Sequence, residues 1–213
     1  MASDYVSVIR SLLPNGPYRL LGWSMGGMLA MAMASQLEAQ GEQVEFIGLI
    51  DTTQTLDSEW AARHNRAIEY LDYLAGYWPS AISHDGRQNL IERLEALPTE
   101  AQLDHLLEWA RQQHLPLESL DIESIELQIT LRDKGHRLMR EHALKPVQAP
   151  LHIGWAEETV KEHGQRSPGD WSSFTTGKTQ INVVAGDHWQ ILKAQSLHAD
   201  LCRHLGDQSN QNM

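Results

Sequence analysis

One serine of the sequence stands between glycines at the spacing of a nucleophile elbow. Gly22-Trp23-Ser24-Met25-Gly26 fits the pattern G-x-S-x-G and follows the apolar run 18–21. In such an elbow a strand turns sharply into a helix, so small flanking residues let the two elements approach and a strained backbone exposes the serine. Ser24 is therefore predicted to be a nucleophile, with the backbone N–H of Met25 donating to the oxyanion. A glycine-rich strand–helix turn without catalysis would also fit these five residues.

A serine nucleophile needs a base, and the base needs an acid that orients it. His188, in the sequence Gly-Asp-His, follows the last predicted strand and is the candidate base. Asp51 ends the strand after the elbow, so the chain order Ser24, Asp51, His188 is that of an α/β hydrolase. Judged by position alone, Glu157 or Glu158 after a later strand would also serve as the acid.

The elements around these residues alternate between strands and helices at both ends of the chain. Apolar runs predict strands at 18–22, 44–50, 149–155 and 180–184, and helical spacing predicts helices at 1–13, 24–40 and 191–205. Strands joined by crossover helices pair in parallel, so an α/β fold with a mostly parallel sheet and flanking helices is expected. The candidate nucleophile and acid each follow a strand directly, which places them at one edge of the sheet.

The middle of the chain lacks any strand signal and carries helical stripes of apolar residues. These stripes lie at 59–78, 90–97, 103–110 and 122–139. Because the stripes are apolar on one side only, they need a surface to cover. We predict that residues 53–144 form a helical lid over the active-site face, inserted between core segments 1–52 and 145–206, with a disordered tail at 207–213. One or two of three tryptophans on this insertion would line an acyl channel: Trp60, Trp78 and Trp109.

Charge and composition disfavour several classes of function. The 213 residues carry 17 Lys and Arg against 28 Asp and Glu, a net charge of −11, and such an acidic surface repels nucleic acid. No apolar run is long enough for a membrane helix and the first residues do not resemble a signal peptide, so a cytoplasmic protein is expected. The single cysteine, Cys202, allows no internal disulfide and is predicted to be a small buried residue of the last helix. No metal or nucleotide site is expected.

The residues around Ser24 form a longer pattern than the elbow itself. Residues 16–27 read Gly-Pro-Tyr-Arg-Leu-Leu-Gly-Trp-Ser-Met-Gly-Gly. This run resembles the signature G-P-Y-x-L-x-G-W-S-x-G-G of the thioesterase domains that terminate nonribosomal peptide synthetases. Residues 1–5 are similar to the A-x-x-Y helix of that family, and residues 41–51 are similar to its next element. The family keeps its acid after this strand, so the resemblance favours Asp51 over the two later glutamates.

The resemblance implies a serine thioesterase with an α/β-hydrolase fold. Ser24 would take an acyl or peptidyl chain from the phosphopantetheine arm of a carrier protein, which lies in cis in a native synthetase. His188 would act as the base and Asp51 would hold it, and the chain would leave by hydrolysis or macrocyclisation in antibiotic or siderophore biosynthesis. The enzyme would need no cofactor of its own. Two alternatives stay open: a stand-alone editing thioesterase, or a truncated non-catalytic module that binds a carrier protein.

The resemblance also implies sequence before residue 1. In the family, about 50 to 60 residues precede this point and carry the first strands and the loop that supplies the second oxyanion N–H. We therefore expect the chain as given to be a fragment, or to begin at an internal methionine. Without those strands one sheet edge and an apolar face would be uncovered, and stability and activity would be low.

Overall fold

The computed structural model describes residues 1–54, 66, 68–71, 84–117, 122–163 and 170–206. The chain divides into two compact units, one within Met1–Thr55 and Glu141–Met213 and one within Leu56–Arg140. We call them the α/β unit and the helical unit. Most of the predicted stripe at 59–78, with Trp60 and Trp78, lies outside the described residues, as does the tail at 207–213.

Helices and strands follow one another in the α/β unit in the order that the sequence predicts. In chain order the elements of both units are α1 (Ala2–Leu12), β1 (Tyr18–Trp23), α2 (Met25–Ala39), β2 (Val44–Ile50), α3 (His84–Glu95), α4 (Thr99–Gln112), α5 (Ile122–Glu141), β3 (Leu151–Ala156), α6 (Glu157–His163), β4 (Thr179–Val184) and α7 (Gln195–Gly206). Short 3₁₀ turns lie at Trp171–Phe174 and Gln190–Lys193. The strands pair in parallel in the order β1-β2-β3-β4, which confirms the α/β sheet.

The sheet is built around an inner strand, β2, that is apolar at every position except Glu45. β2 is buried at nearly every position, as expected for a parallel strand with neighbours on both sides and cover on both faces. The small side chains of α2 let this helix pack closely on the sheet, and three of its methionines are buried in the core: Met28, Met31 and Met33.

The strand register aligns the ends of β1 and β2 at the carboxyl-terminal edge of the sheet, next to β3. Trp23 at the end of β1 pairs with Ile50 at the end of β2, and Ile50 pairs with Gly154 of β3. The residues that leave β1 and β2 at this edge are Ser24 and Asp51. The parallel register therefore brings the candidate nucleophile and the candidate acid to adjacent strand ends.

The helical unit has a hydrophobic core of its own. Among the described residues, eleven buried side chains form it: Tyr70, Leu71, Leu90, Ile91, Leu94, Leu103, Leu106, Leu107, Ala110, Ile125 and Ile129. Trp109 packs against this cluster and is only partly buried. The stripes at 90–97, 103–110 and 122–139 thus form helices as predicted, and they bury their apolar sides against one another. The role of this unit as a lid stays a prediction.

Three local features differ from the sequence prediction. The sequence predicts no helix where α6 lies, since seven residues are too few to show helical periodicity. The predicted helix at 191–205 is broken into a 3₁₀ turn and α7, because the Asp187 carboxylate accepts hydrogen bonds from the N–H groups of Trp189 and Gln190 and closes a tight turn. Cys202 was predicted to be buried and is exposed. The buried side of α7 is instead formed by Leu197 and the partly buried Leu201, one helical turn apart.

Candidate active site

The nucleophile elbow has the strained geometry that the sequence predicts. Ser24 lies between β1 and α2 with φ 53° and ψ −125°, a backbone region that residues other than glycine seldom adopt. Its N–H donates to the carbonyl of Ile50 at 2.8 Å, which fixes the elbow to the end of β2. Met25 is the first residue of α2, so its N–H belongs to the first turn, where N–H groups have no acceptor within the helix.

The two glycines of the elbow motif differ in how much space surrounds them. A Cβ on Gly22 would lie 2.1 Å from the carbonyl oxygen of Gly26, so only glycine at position 22 lets β1 approach α2. A Cβ on Gly26 would meet no described atom within 4 Å. The next glycine, Gly27, is the tight one on the helix, because a Cβ there would lie 2.1 Å from Oγ1 of Thr52.

Asp51 is a fully buried carboxylate with a donor on each oxygen. Its side chain is 0% exposed, and its backbone has φ 46° with the N–H bonded to Gly154 O at 2.7 Å. Oδ1 accepts the N–H of Ala156 at 2.9 Å. Oδ2 accepts the hydroxyl of Thr159 at 2.8 Å and lies 2.7 Å from Nδ1 of His188. The structure therefore brings Asp51 and His188 together.

These contacts keep the Asp51 carboxylate ionised. Burial alone raises the pKa of Asp51, but the hydrogen bonds from His188, Ala156 and Thr159 and the charge of His188 outweigh it. The net result is a pKa below the ordinary value of 3.8. Because an ionised carboxylate only accepts hydrogen bonds, the proton of this contact lies on Nδ1 of His188. In the neutral form of the ring, Nε2 is then the acceptor.

The His188 ring is held by two tryptophans as well as by Asp51. The Trp23 indole stacks on it with ring centroids 4.7 Å apart, and Trp23 Nε1–H donates to the His188 carbonyl at 3.0 Å. Trp189 meets the same ring edge-on at 5.6 Å. The His188 side chain is 34% exposed. Since Trp23 is the residue before Ser24, the elbow and the histidine loop are in direct contact.

The alternative acids lie elsewhere. Glu157 pairs with Lys161 one turn along α6 at 2.8 Å, and Glu158 is exposed. Within the described residues, neither carboxylate contacts His188. Asp187, which precedes the histidine, caps the following 3₁₀ turn. The geometry thus distinguishes Asp51 from the two glutamates that position alone left open.

Sequence reasoning did not find the residues that hold the acid and the base. Thr159 and Ala156 lie more than 100 positions from Asp51, and no local pattern marks a hydroxyl on a short helix as a carboxylate ligand. Trp23 did carry a signal, because it is part of the motif itself, but its contact with the histidine loop joins residues 165 positions apart. The Ser24 hydroxyl and the His188 ring share no hydrogen bond in the described part of the chain.

Metal-binding clusters and membrane-spanning helices are both absent from the described residues. No group of three or more His, Cys, Asp or Glu side chains within them is arranged to hold a metal ion. No helix in the same ranges is long and apolar enough to cross a bilayer. A strained serine at a helix start, beside a histidine paired with a buried carboxylate, is suited to acyl transfer.

Comparison with known proteins finds a family match over nearly the whole chain. Residues 1–208 match the family model of the thioesterase domain. Vanchrobactin synthetase VabF of Vibrio anguillarum is 28% identical over 175 residues, which cover 78% of this chain and 5% of the synthetase. Three other synthetases are matched over 4% or less of their own length, and atromentin synthetase of Tapinella panuoides over 20%. The chain therefore spans a small part of these relatives.

Solved structures share the fold at low sequence identity. A four-domain nonribosomal peptide synthetase bound to AMP and glycine superposes with a TM-score of 0.69 and 23% identity, over 100% of this chain and 16% of that one. The thioesterase domain that cyclises the lipopeptide antibiotic surfactin superposes with a TM-score of 0.54 and 17% identity, over 100% of this chain and 76% of that one. Together with the match over residues 1–208, the α/β fold and the elbow lead to one conclusion: this chain belongs to the thioesterase domain family.

Proposed function

We propose that this thioesterase acts through Ser24, His188 and Asp51 and releases an acyl or peptidyl chain from a carrier protein. The observation that carries the proposal is the 2.7 Å contact between Asp51 Oδ2 and His188 Nδ1, beside the elbow that presents Ser24. A carboxylate in this position fixes the tautomer of the ring, so that Nε2 is the proton acceptor.

In the first half of the reaction the acyl group moves to the serine. His188 Nε2 takes the hydroxyl proton of Ser24 while Oγ attacks the thioester carbonyl carbon. The C–S bond then breaks, and the departing thiolate of the phosphopantetheine arm takes the proton back from His188. The hydroxyl–imidazole hydrogen bond that the free enzyme lacks forms when the substrate is bound, as is common among hydrolases.

The backbone at the start of α2 supports the charge that develops on the carbonyl oxygen. The Met25 N–H is the first donor, and the positive end of the helix dipole lies behind it. Losing one oxyanion donor costs about 10²–10³ in turnover in other serine hydrolases. The strained φ of Ser24 keeps Oγ and this N–H at the same turn.

In the second half the acyl-enzyme is opened by water or by a hydroxyl or amine of the bound chain. Water gives a linear acid, and an internal nucleophile gives a ring. The carrier protein lies in cis in the native synthetase, a view supported by relatives that are much longer than this chain and are synthetases by name. Ser24, His188 and Asp51 complete both halves without a cofactor of their own.

The test is covalent labelling of the serine by a fluorophosphonate, read by intact mass and by peptide mapping. We expect one label, on Ser24, which is lost in Ser24→Ala. The matched control is Ser11→Ala, which removes an exposed hydroxyl on α1 and keeps the label. Labelling that persists in Ser24→Ala would contradict the assignment. A folded protein that takes no label would favour the non-catalytic carrier-binding module.

A second measurement identifies the release step. The protein is incubated with a peptidyl thioester of phosphopantetheine that carries a terminal amine, and the products are separated by mass. Appearance of the linear acid alone assigns hydrolysis, and appearance of the product that is lighter by one water assigns cyclisation. Release of neither product, with a labelled Ser24, would show that the acyl group is not accepted from this arm.

A further inference from the structure

The turn between β3 and α6 holds both the acid and the loop of the base. The Ala156 N–H and the Thr159 hydroxyl donate to the two oxygens of Asp51 at 2.9 and 2.8 Å. The N–H of Glu158, between these donors, bonds to the carbonyl of Gly186 at 3.2 Å, two residues before His188. A short stretch of chain thus contacts both members of the Asp51–His188 pair.

Thr159 shares an oxygen of Asp51 with His188. Both Oγ1 of Thr159 and Nδ1 of His188 lie within 2.8 Å of Oδ2, whereas Oδ1 is bound by the backbone. Rotation about the Cβ–Cγ bond moves both oxygens of the carboxylate, so donors on both oxygens restrain this rotation more than one donor on Oδ1 does. The Thr159 hydroxyl adds such a donor on Oδ2 and helps to direct the other lone pair of that oxygen at the imidazole.

The burial of the Asp51 carboxylate makes the Thr159 hydroxyl hard to replace as a donor. The Asp51 side chain is 0% exposed, so bulk water does not reach it to substitute for a lost donor. Removing one partner of a buried charged group leaves that group underbonded, which costs more than the average hydrogen bond is worth.

We propose that Thr159 is a positioning residue of the thioesterase, which orients Asp51 and through it the His188 ring. The inference rests on the proposed function of the Ser24, Asp51 and His188 set. Thr159 touches neither the serine nor the acyl group in this assignment. Its effect therefore falls on the rate of the chemical steps and leaves substrate binding unchanged.

The test compares two changes at Thr159 with a matched change elsewhere. Thr159→Val keeps the shape of the side chain and removes the hydroxyl, and Thr159→Ser keeps the hydroxyl. The control is Thr175→Val, which deletes a buried hydroxyl bonded to the carbonyl of Ala149 at the opposite end of β3. All three variants are made in the full 213-residue chain and are first compared by thermal unfolding.

We expect Thr159→Val to lower kcat by about 10- to 100-fold with KM unchanged, as for a lost hydrogen bond to a buried charge. Thr159→Ser should stay within about threefold of the wild type, and Thr175→Val should keep its turnover whatever it loses in stability. In an Asp51→Asn background, Thr159→Val should have no further effect, because its partner charge is gone. Equal losses in Thr159→Val and Thr159→Ser would overturn the proposal, since the hydroxyl would then not be the cause.

A spectroscopic readout separates this inference from the proposed function. The proton between His188 Nδ1 and Asp51 gives a downfield ¹H resonance that Asp51→Asn removes. Thr159→Val should shift or broaden this resonance, and Thr175→Val should leave it in place. A wild-type protein without turnover or Ser24 labelling would refute the proposed function, and the resonance would still decide the positioning role. An unchanged resonance in Thr159→Val would refute that role even in an active enzyme.

Discussion

Each unit of the molecule has a carboxylate that accepts a hydrogen bond from a hydroxyl group and pairs with a basic side chain. The two carboxylates differ in which basic side chain they pair with and in how far they are buried. In the helical unit, Glu126 accepts the Tyr70 hydroxyl at 2.8 Å and pairs with Arg66. In the α/β unit, Asp51 accepts the Thr159 hydroxyl at 2.8 Å and pairs with His188. The side chain of Glu126 is 42% exposed and that of Asp51 is 0% exposed.

The difference teaches why similar contacts serve different purposes. An arginine stays protonated throughout the physiological range, so the Arg66–Glu126 pair can only hold two helical segments together. A histidine gains and loses its proton near neutral pH, and His188 is partly open to solvent. The buried Asp51 carboxylate is therefore paired with a side chain that can transfer a proton. Glu126 is paired with a side chain that cannot.

Removing one charge from each network should give the largest contrast. Asp51→Asn should lower turnover by about 10⁴, which is about 5.4 kcal/mol of transition-state stabilisation, because the imidazole loses its orienting anion. Glu126→Gln should leave turnover within about threefold, because a partly exposed ion pair contributes little. Steady-state hydrolysis of an acyl thioester measures both.

The same assay includes the two glutamates of α6. Glu157→Gln and Glu158→Gln should behave like the wild type, since neither carboxylate contacts His188 in the described residues. If either variant loses turnover while Asp51→Asn keeps it, the acid lies after β3 and the comparison between the two networks fails.

Deleting core side chains tests whether the two units are stabilised separately. Leu106 in the helical unit and Leu37 in the α/β unit are both 0% exposed. Each change to alanine should lower the free energy of unfolding of its own unit by about 2–5 kcal/mol, through lost burial and the cavity left behind. Urea titration followed by amide hydrogen exchange assigns the loss to one unit or the other. Equal loss of protection in both units from either change would show a single cooperative core.

Two glycine substitutions test how closely the backbones of β1 and α2 must approach each other at the elbow. Gly22→Ala should cost about 1–3 kcal/mol or more, because its Cβ would overlap the Gly26 carbonyl. Gly26→Ala should be neutral or stabilising by up to about 1 kcal/mol, because it lies in α2 and alanine is the better helix former. Thermal unfolding measures both changes. A larger loss from Gly26→Ala would show that the second glycine of the motif is needed for reasons of space.

Lowering the pH should reveal the smallest effect. The folded-state pKa of Asp51 lies below its ordinary value of 3.8, so the ionised carboxylate stabilises the fold fully above that value. This contribution is lost as the pH falls through the lower folded pKa. The wild type and Asp51→Asn should therefore differ most in unfolding free energy above pH 3.8 and converge below it. A difference that does not depend on pH would mean that the contacts of Asp51 do not favour its charged form.

Much of the fold and the candidate site was predicted from the sequence because the signals are local. Seven residues that are apolar except for Glu45 make β2 a buried strand, and the glycines and the serine within 22–27 favour a tight strand–helix turn. The order Ser24, Asp51, His188 follows from which residues leave the strands. Helix α6 was missed because its seven residues are mostly polar and too few to show helical periodicity. Cys202 was predicted to be buried, but the neighbouring residue Leu201 lies on the buried side of α7 and Cys202 is exposed.

The sequence by itself determined the elbow, the parallel strands and the candidate residues, since each depends on neighbours within a few positions. Only the tertiary structure decided which acid meets the base. Asp51 and His188 are 137 residues apart, and Thr159 is 108 residues from Asp51. Contacts of that kind depend on strand register and on the direction of side chains at the sheet edge, and neither leaves a trace in local composition. The contact of Trp23 with the histidine loop is likewise a long-range one, which the motif around Ser24 does not reveal.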